Sequence, residues 1–440
     1  MFSRKDLTKL ILPLIIEQLL ATTVGMADII MVASAGEAAV SGVSLVDNIS
    51  LLLINFLTAI ATGGAVICAQ YIGKKRLDKA EETAGQLLLS VTLIALLIMA
   101  VILSGNRIIL NLLCKGAEPE VMNSARIYFY LCAVSYPFLG ISNACSALFR
   151  VQGKSNISML SALIMNLINI PGNAVLVYLF HLGAAGVGIA SLSSRMASAI
   201  LLLILIRKPG YMLHLSHFSR HIHKDIVKKI MYIGIPSGLE NSIFQIGKIL
   251  LQSLIVSFGT ASIAANAAAN TLATLGALPG TAIGLALVTV VGQCIGAGRY
   301  SEARKATKRL IGLAYISMAF TCGVMLIFIH PLINIYQLSA ETERLAVILT
   351  FIHNGFAILI WPVSFVLPNA LRAANDVKYT MWVSIISMWT CRIFLAYLMA
   401  GFFHMGVAGV WLAMIIDWAI RSVFFIIRFF RKKLEMHAII

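Results

Sequence analysis

The acids Glu17, Asp28, Asp47, Glu240 and Asp417 and the bases Arg195, Lys248, Arg392 and Arg421 stand inside long apolar stretches of this sequence. An ionisable group at the centre of a bilayer costs roughly 2.5–3.5 kcal/mol on insertion scales, so each one there calls for a partner or a task. Glu17 and Asp28 are eleven residues apart, which is close to three turns at about 3.6 residues per turn. They therefore share one side of a helix, with Gln18, Ala21 and Gly25 nearby. Asn166, Asn169 and Asn173 form a matching stripe at i, i+3 and i+7, interrupted by Pro171. A carboxylate facing amides around a proline kink is suited to holding a cation or a proton. The same groups equally serve as an interhelical hydrogen-bond network, and the spacing alone leaves both readings open.

In the second half of the chain Glu240, Lys248 and Arg392 are the candidates for a second cavity. Lys248 lies eight residues past Glu240, about 12 Å along a helix axis, too far for direct contact. Asp417 and Arg421 are spaced i, i+4 with the acid first, which predicts a local ion pair. Arg150 and Arg372 fall at inner helix ends, where loop structure or topology is the expected role. His214, His217, His221 and His223 read as a solvated loop near lipid headgroups rather than a metal site. The seven cysteines are scattered singly and read as small core residues.

The elements that must position these groups are membrane helices. The chain has 440 residues, 60% hydrophobic and 12% charged, with a mean hydropathy of +0.91. A soluble fold of this size cannot hide so much apolar surface. About twelve apolar runs approach the roughly 20 residues that cross a bilayer core, and they predict helices at 10–33, 43–72, 84–104, 125–149, 157–180, 184–206, 230–257, 263–297, 310–330, 345–371, 379–401 and 406–430. Gly63-Gly64 and Pro279-Gly280 offer bend or hinge points in two of the longest. The net charge of +16 is topological. Most Lys and Arg fall at the termini and in every second loop, which orients a multi-pass inner-membrane protein with both ends in the cytoplasm and excludes a nucleic-acid partner.

The sequence repeats itself at a constant offset of 223 residues. His181-Leu-Gly-Ala-Ala-Gly-Val-Gly-Ile-Ala190 matches His404-Met-Gly-Val-Ala-Gly-Val-Trp-Leu-Ala413. Pro13 and Glu17 match Pro236 and Glu240, and Gln70, Gly73 and Arg76 match Gln293, Gly296 and Arg299. After the fourth helix of each half, Arg150 matches Arg372 with a slip of one residue. Six helices per half is an even number, so both copies enter the membrane the same way. The expected architecture is an all-α membrane protein of twelve transmembrane helices, in two six-helix bundles related by a pseudo-twofold axis along the membrane normal. The expected boundaries are 1–206 for the first lobe, 207–229 for a cytoplasmic linker, and 230–440 for the second lobe. Phe218, Ile222, Ile226 and Ile230 suggest an amphipathic helix in the linker.

Several stretches resemble the multidrug and toxic compound extrusion (MATE) family in its prokaryotic DinF-like branch. They are Val24-Gly-Met-Ala-Asp28-Ile-Ile-Met-Val, Ala69-Gln-Tyr-Ile-Gly73, Val291-Gly-Gln-Cys-Ile-Gly-Ala-Gly298, Phe149-Arg-Val-Gln-Gly153 and Gly183-Ala-Ala-Gly-Val-Gly-Ile-Ala-Ser191. The resemblance implies export of cationic or amphipathic compounds by antiport with protons or sodium, with no other cofactor. It also implies a cation site at Asp28 and Asn169, with Ser191 as a hydroxyl ligand. Many members carry an aspartate at the position held here by Asn173, so this chain has one negative charge fewer. Some members use an acid in the tenth helix. Gly355–Leu371 has none, which leaves Glu240 for any second-lobe site.

The expected function is a monomeric, ion-coupled exporter of small organic molecules from the bilayer or cytoplasm by alternating access, with Glu17 an auxiliary to Asp28. The alternative is a flippase for lipid-linked saccharides, which asks for many arginines in one cavity. A membrane-embedded enzyme would need a concentrated catalytic set that this sequence lacks, and a passive channel suits a twofold repeat with dispersed charges poorly.

Overall fold

The computed structural model describes residues 2–113, 118–215 and 221–431, and every structural statement below concerns these. Among them the regular structure is helical throughout. The long elements are α1 (Arg4–Ala33), α2 (Glu37–Gly73), α3 (Leu77–Leu113), α4 (Pro119–Val151), α5 (Ser155–Leu179), α6 (Gly183–Ile206), α7 (Lys224–Val256), α8 (Thr260–Gly296), α9 (Tyr300–Ile327), α10 (Ala340–Ala373), α11 (Val377–Phe402) and α12 (Gly406–Arg431). A short helix, Ile329–Asn334, joins α9 to α10.

Eleven of these are long and apolar enough to cross a bilayer, and α7 is the exception. Its length of 33 residues corresponds to about 50 Å, but Ser237, Glu240, Asn241, Ser242, Gln245, Lys248 and Gln252 make it more polar. Large apolar side chains face outward as well as inward: Ile316 is 70% and Phe320 72% exposed. Such exposure is costly in water and ordinary against lipid. The protein is a multi-pass membrane protein.

The chain packs as two compact units, one spanning Ser3–Gly238 and the other containing the chain from Leu239 onward. The division therefore falls inside α7 rather than in the linker. Ile226 and Ile230 are buried in the first turns of α7, so the expected linker helix is not a separate element. Ile222 is exposed outside that helix, and Phe218 lies outside the described residues. In the first unit α4 packs against α2, α3 and α6, and α5 against α1 and α6. In the second, α8 packs against α9 and α10, and α12 against α10 and α11.

Helices α2 and α8 run unbroken for 37 residues each. Gly63 serves close packing, since a Cβ there would meet the Gly234 backbone nitrogen at 2.8 Å.

The repeat is written into the backbone. Left-handed residues recur in pairs: Gly36 with Gly259, Lys75 with Gly298, His181 with His404, and Gly183 with Gly406. Gly153 pairs with Asn375, which carries the one-residue slip already seen at Arg150 and Arg372. Non-glycine residues rarely adopt this conformation, so histidine in it at both His181 (φ 54°) and His404 (φ 56°) is a specific mark of duplication. π-helical turns recur too, at Ala174–Leu179 in α5 and Leu398–Phe402 in α11.

Candidate cation site and its duplicated counterpart

Asp28 projects from α1 toward α5 and α6, where it is 8% exposed. Asn173 donates through Nδ2 to Asp28 Oδ1 at 2.5 Å and to Asn169 Oδ1 at 3.2 Å. Ser191 donates to Asp28 Oδ2 at 3.4 Å and accepts from Asn169 Nδ2 at 3.2 Å. The π-helical turn beginning at Ala174 follows Asn173 directly, and Pro171 one turn earlier lacks a backbone N–H. The four polar groups are thus gathered where the α5 backbone departs from regular geometry. Asn173 Oδ1 is buried with no hydrogen-bond partner, so the cluster holds an acceptor oxygen beside a carboxylate. Oxygens so grouped are the donor set for a hard monovalent cation. Half-buried Asp47 accepts from Tyr128 at 3.0 Å, and Arg195 donates to Ser135 at 2.6 Å.

Glu17 lies on the same face of α1 but in a different network. It accepts from Arg150 on α4 at 2.7 Å and from Ser158 on α5 at 2.5 Å. Asn166 donates to the Leu20 and Ala162 carbonyls and ties α5 to α1. In the second unit Glu240 accepts from Arg372 at 2.7 Å. Glu17–Arg150 and Glu240–Arg372 are therefore one ion pair built twice, joining the first helix of each half to the C-terminal end of its fourth.

The positions that correspond to the Asp28 cluster in the second half are Leu251, Arg392, Ala396 and Met414, all buried. The carboxylate, one amide and the hydroxyl have become apolar, and the Asn169 position carries a guanidinium. Arg392 Cζ lies 5.1 Å from the Phe244 ring centre, Lys248 Nζ 5.4 Å and Arg421 Cζ 5.8 Å. Asp417 accepts from Ser387 and stands 4.0 Å from Arg392, while Arg421 donates to Ser384 at 3.0 Å and lies over Phe365 at 4.7 Å. The expected Asp417–Arg421 ion pair is not formed among the described residues. Partners across the α11–α12 boundary and an aromatic face hold the two side chains instead.

The sequence model of the MatE family matches this chain twice, over residues 13–175 and 236–398, and the two matches are offset by the same 223 residues. The chain belongs to the MatE family. It is 26% identical over 418 residues to the uncharacterized transporter YisQ of Bacillus subtilis, covering 93% of this chain and 90% of that one. It is 23% identical to the probable multidrug resistance protein NorM of Thermotoga maritima, covering 99% and 94%. A solved MOP superfamily transporter from Pyrococcus furiosus, described as having a binding pocket of reverse polarity that suggests a different function, superposes with a TM-score of 0.89. It covers 97% of this chain and 94% of that one at 19% identity, a likeness of fold.

In this MatE protein the structure brings Asp28, Asn169, Asn173 and Ser191 together, as the sequence reading expected, and leaves Glu17 outside that cluster. The partners of Glu17 and Glu240 escaped the sequence reading, although the repeat pairs Arg150 with Arg372 as surely as it pairs the two acids. The linker histidines lean on α3: His214 Nδ1 meets Glu81 at 3.0 Å, and His223 Nδ1 meets Glu82 at 2.5 Å. Gln86 donates to the His221 carbonyl at 2.7 Å and accepts from the His223 amide at 3.0 Å. His217 lies outside the described residues.

Proposed function

We propose that this MatE protein is a secondary active exporter of small organic compounds, cationic or amphipathic, driven by antiport with protons or sodium. In this reading it works as a monomer in the cell (inner) membrane with both termini in the cytoplasm. Its two lobes are related by an axis along the membrane normal and alternate access between them. The observation that carries the reading is the buried cluster of Asp28 with Asn173, Asn169 and Ser191, holding a free amide oxygen beside a carboxylate. An uncompensated charge in such a place costs several kcal/mol, so the carboxylate is occupied by a proton, a metal cation or an organic cation. Those occupants exclude one another at a single carboxylate. Mutual exclusion at one site is what couples the inward movement of an ion to the outward movement of a drug.

The flippase reading asks for guanidinium groups gathered in one cavity. Here the guanidinium groups are divided between the units: Arg195 is engaged by Ser135 in the first, and two, Arg392 and Arg421, come together beside Phe244 in the second. The experiment is dye movement in inverted vesicles under separately imposed proton and sodium gradients. Transport driven by one of them supports antiport, and transport indifferent to both refutes it.

A further inference from the structure

The geometry points to an anion-binding site in the second unit, built from Lys248, Arg392 and Arg421 around Phe244, for an organic anion with an aromatic body. The site is the sign-reversed descendant of the Asp28 cluster. Duplication gave both halves the same scaffold, and the second half replaced Asp28 by Leu251, Ser191 by Met414 and Asn169 by Arg392. The neighbouring contact was kept but recharged: Ser161 and Ser198 share a hydrogen bond at 2.6 Å in the first unit, and their counterparts are Ser384 and Arg421 at 3.0 Å.

Charge around this site is positive in excess, with buried Arg392 and Arg421, Arg372 and the exposed Lys248 against Glu240 and Asp417. Glu240 is already engaged by Arg372 at 2.7 Å. Asp417 accepts from Ser387 through Oδ1, and its Oδ2, itself buried without a hydrogen-bond partner, stands 4.0 Å from Arg392. Arg392 is 8% and Arg421 3% exposed, yet Arg392 Nε and both Nε and Nη1 of Arg421 are buried donors with no acceptor. Leaving such donors unmet is costly, the more so for charged groups. An acceptor with several oxygens, such as a carboxylate, sulfonate or phosphate, satisfies guanidinium donors in that arrangement.

The surroundings favour a flat apolar body on that anion. Trp361 stacks on Phe365 at 4.9 Å, and Phe365 meets Trp418 edge-on at 5.8 Å. Trp418 Nε1 is a further buried donor without a partner. Lys248 is exposed and forms no ion pair among the described residues, so it marks the open edge of the site. An aromatic anion entering there meets the Lys248 ammonium first and the two guanidinium groups behind it.

The inference deepens the exporter reading by naming a substrate chemistry for one lobe, and equilibrium binding tests it without any ion gradient. Fluorescein and rhodamine 6G share a xanthene ring and differ in charge, and fluorescence polarisation reports their binding to the full chain in lipid nanodiscs. Lys248→Gln and Arg392→Gln are each expected to weaken fluorescein at least tenfold and to leave rhodamine 6G within twofold. Arg392→Lys, which keeps the charge, is expected to recover most of the loss and separates binding from misfolding. The inference is overturned if the unaltered protein fails to bind fluorescein. It is equally overturned if both Gln variants bind fluorescein unchanged, or if the two dyes weaken together.

Discussion

Glu17 and Arg150 meet at 2.7 Å with both side chains largely buried, and the pair recurs as Glu240 and Arg372 at the same distance. Removing one partner leaves a charge with little water to solvate it. Glu17→Gln and Arg150→Gln are each expected to destabilise the first unit by up to about 3–5 kcal/mol, the range for a buried pair that loses one partner. The double variant is expected to recover part of that loss. Thermal unfolding in detergent checks this: equal and additive losses would mean that the pair is not coupled.

Lys75 and Gly298 end α2 and α8 with the same hydrogen bonds. Lys75 N bonds Ile72 O and Gly298 N bonds Ile295 O, both at 2.9 Å. The conformation is left-handed at each, with φ of 61° and 70°. Lys75→Gly is therefore expected to be neutral to stabilising by up to about 1 kcal/mol, and Gly298→Ala destabilising by about 1 kcal/mol. Opposite signs in the two melting shifts are the readout.

Gln86 holds the linker to α3 through both ends of its amide. Gln86→Ala is expected to speed tryptic cleavage within 207–229 several-fold while leaving the melting temperature within a few degrees. Cleavage at the unaltered rate would mean that the histidine–glutamate contacts suffice.

Asn173→Asp would place a second carboxylate against Asp28. Two adjacent carboxylates do not both stay charged without a cation between them. Sodium or proton affinity at this site is expected to rise several-fold, read as a shift in the ion concentration giving half-maximal transport. An unchanged midpoint would separate Asn173 from the ion.

Eleven of the twelve long helices and their order were legible in the sequence, because apolar runs of membrane length leave little choice in a bilayer; the more polar α7 was legible through its place in the repeat. The repeat offset was legible because matches from Pro13 with Pro236 to His181 with His404 share it, and the backbone repeats it too: each histidine is left-handed two residues before a left-handed glycine. The Asp28 cluster was legible because three-turn spacing on α1 and the asparagine stripe on α5 both obey helical geometry. What one helix cannot reveal is which neighbour its side chains meet. Spacing put Asp417 beside Arg421, but helix packing gave Asp417 to Ser387 and Arg392. The same blindness hid Arg150 from Glu17, since contacts between helices far apart in sequence leave no local period.

The claim that Asp28 is the coupling carboxylate has one direct test. Efflux of a cationic dye into inverted vesicles is measured for the unaltered protein and for Asp28→Asn at matched membrane expression, with proton and sodium gradients applied in turn. The account predicts that Asp28→Asn abolishes the gradient-driven component while the protein remains inserted and folded. Gradient-driven efflux near the unaltered rate in that variant would contradict it and move the coupling site to another acid.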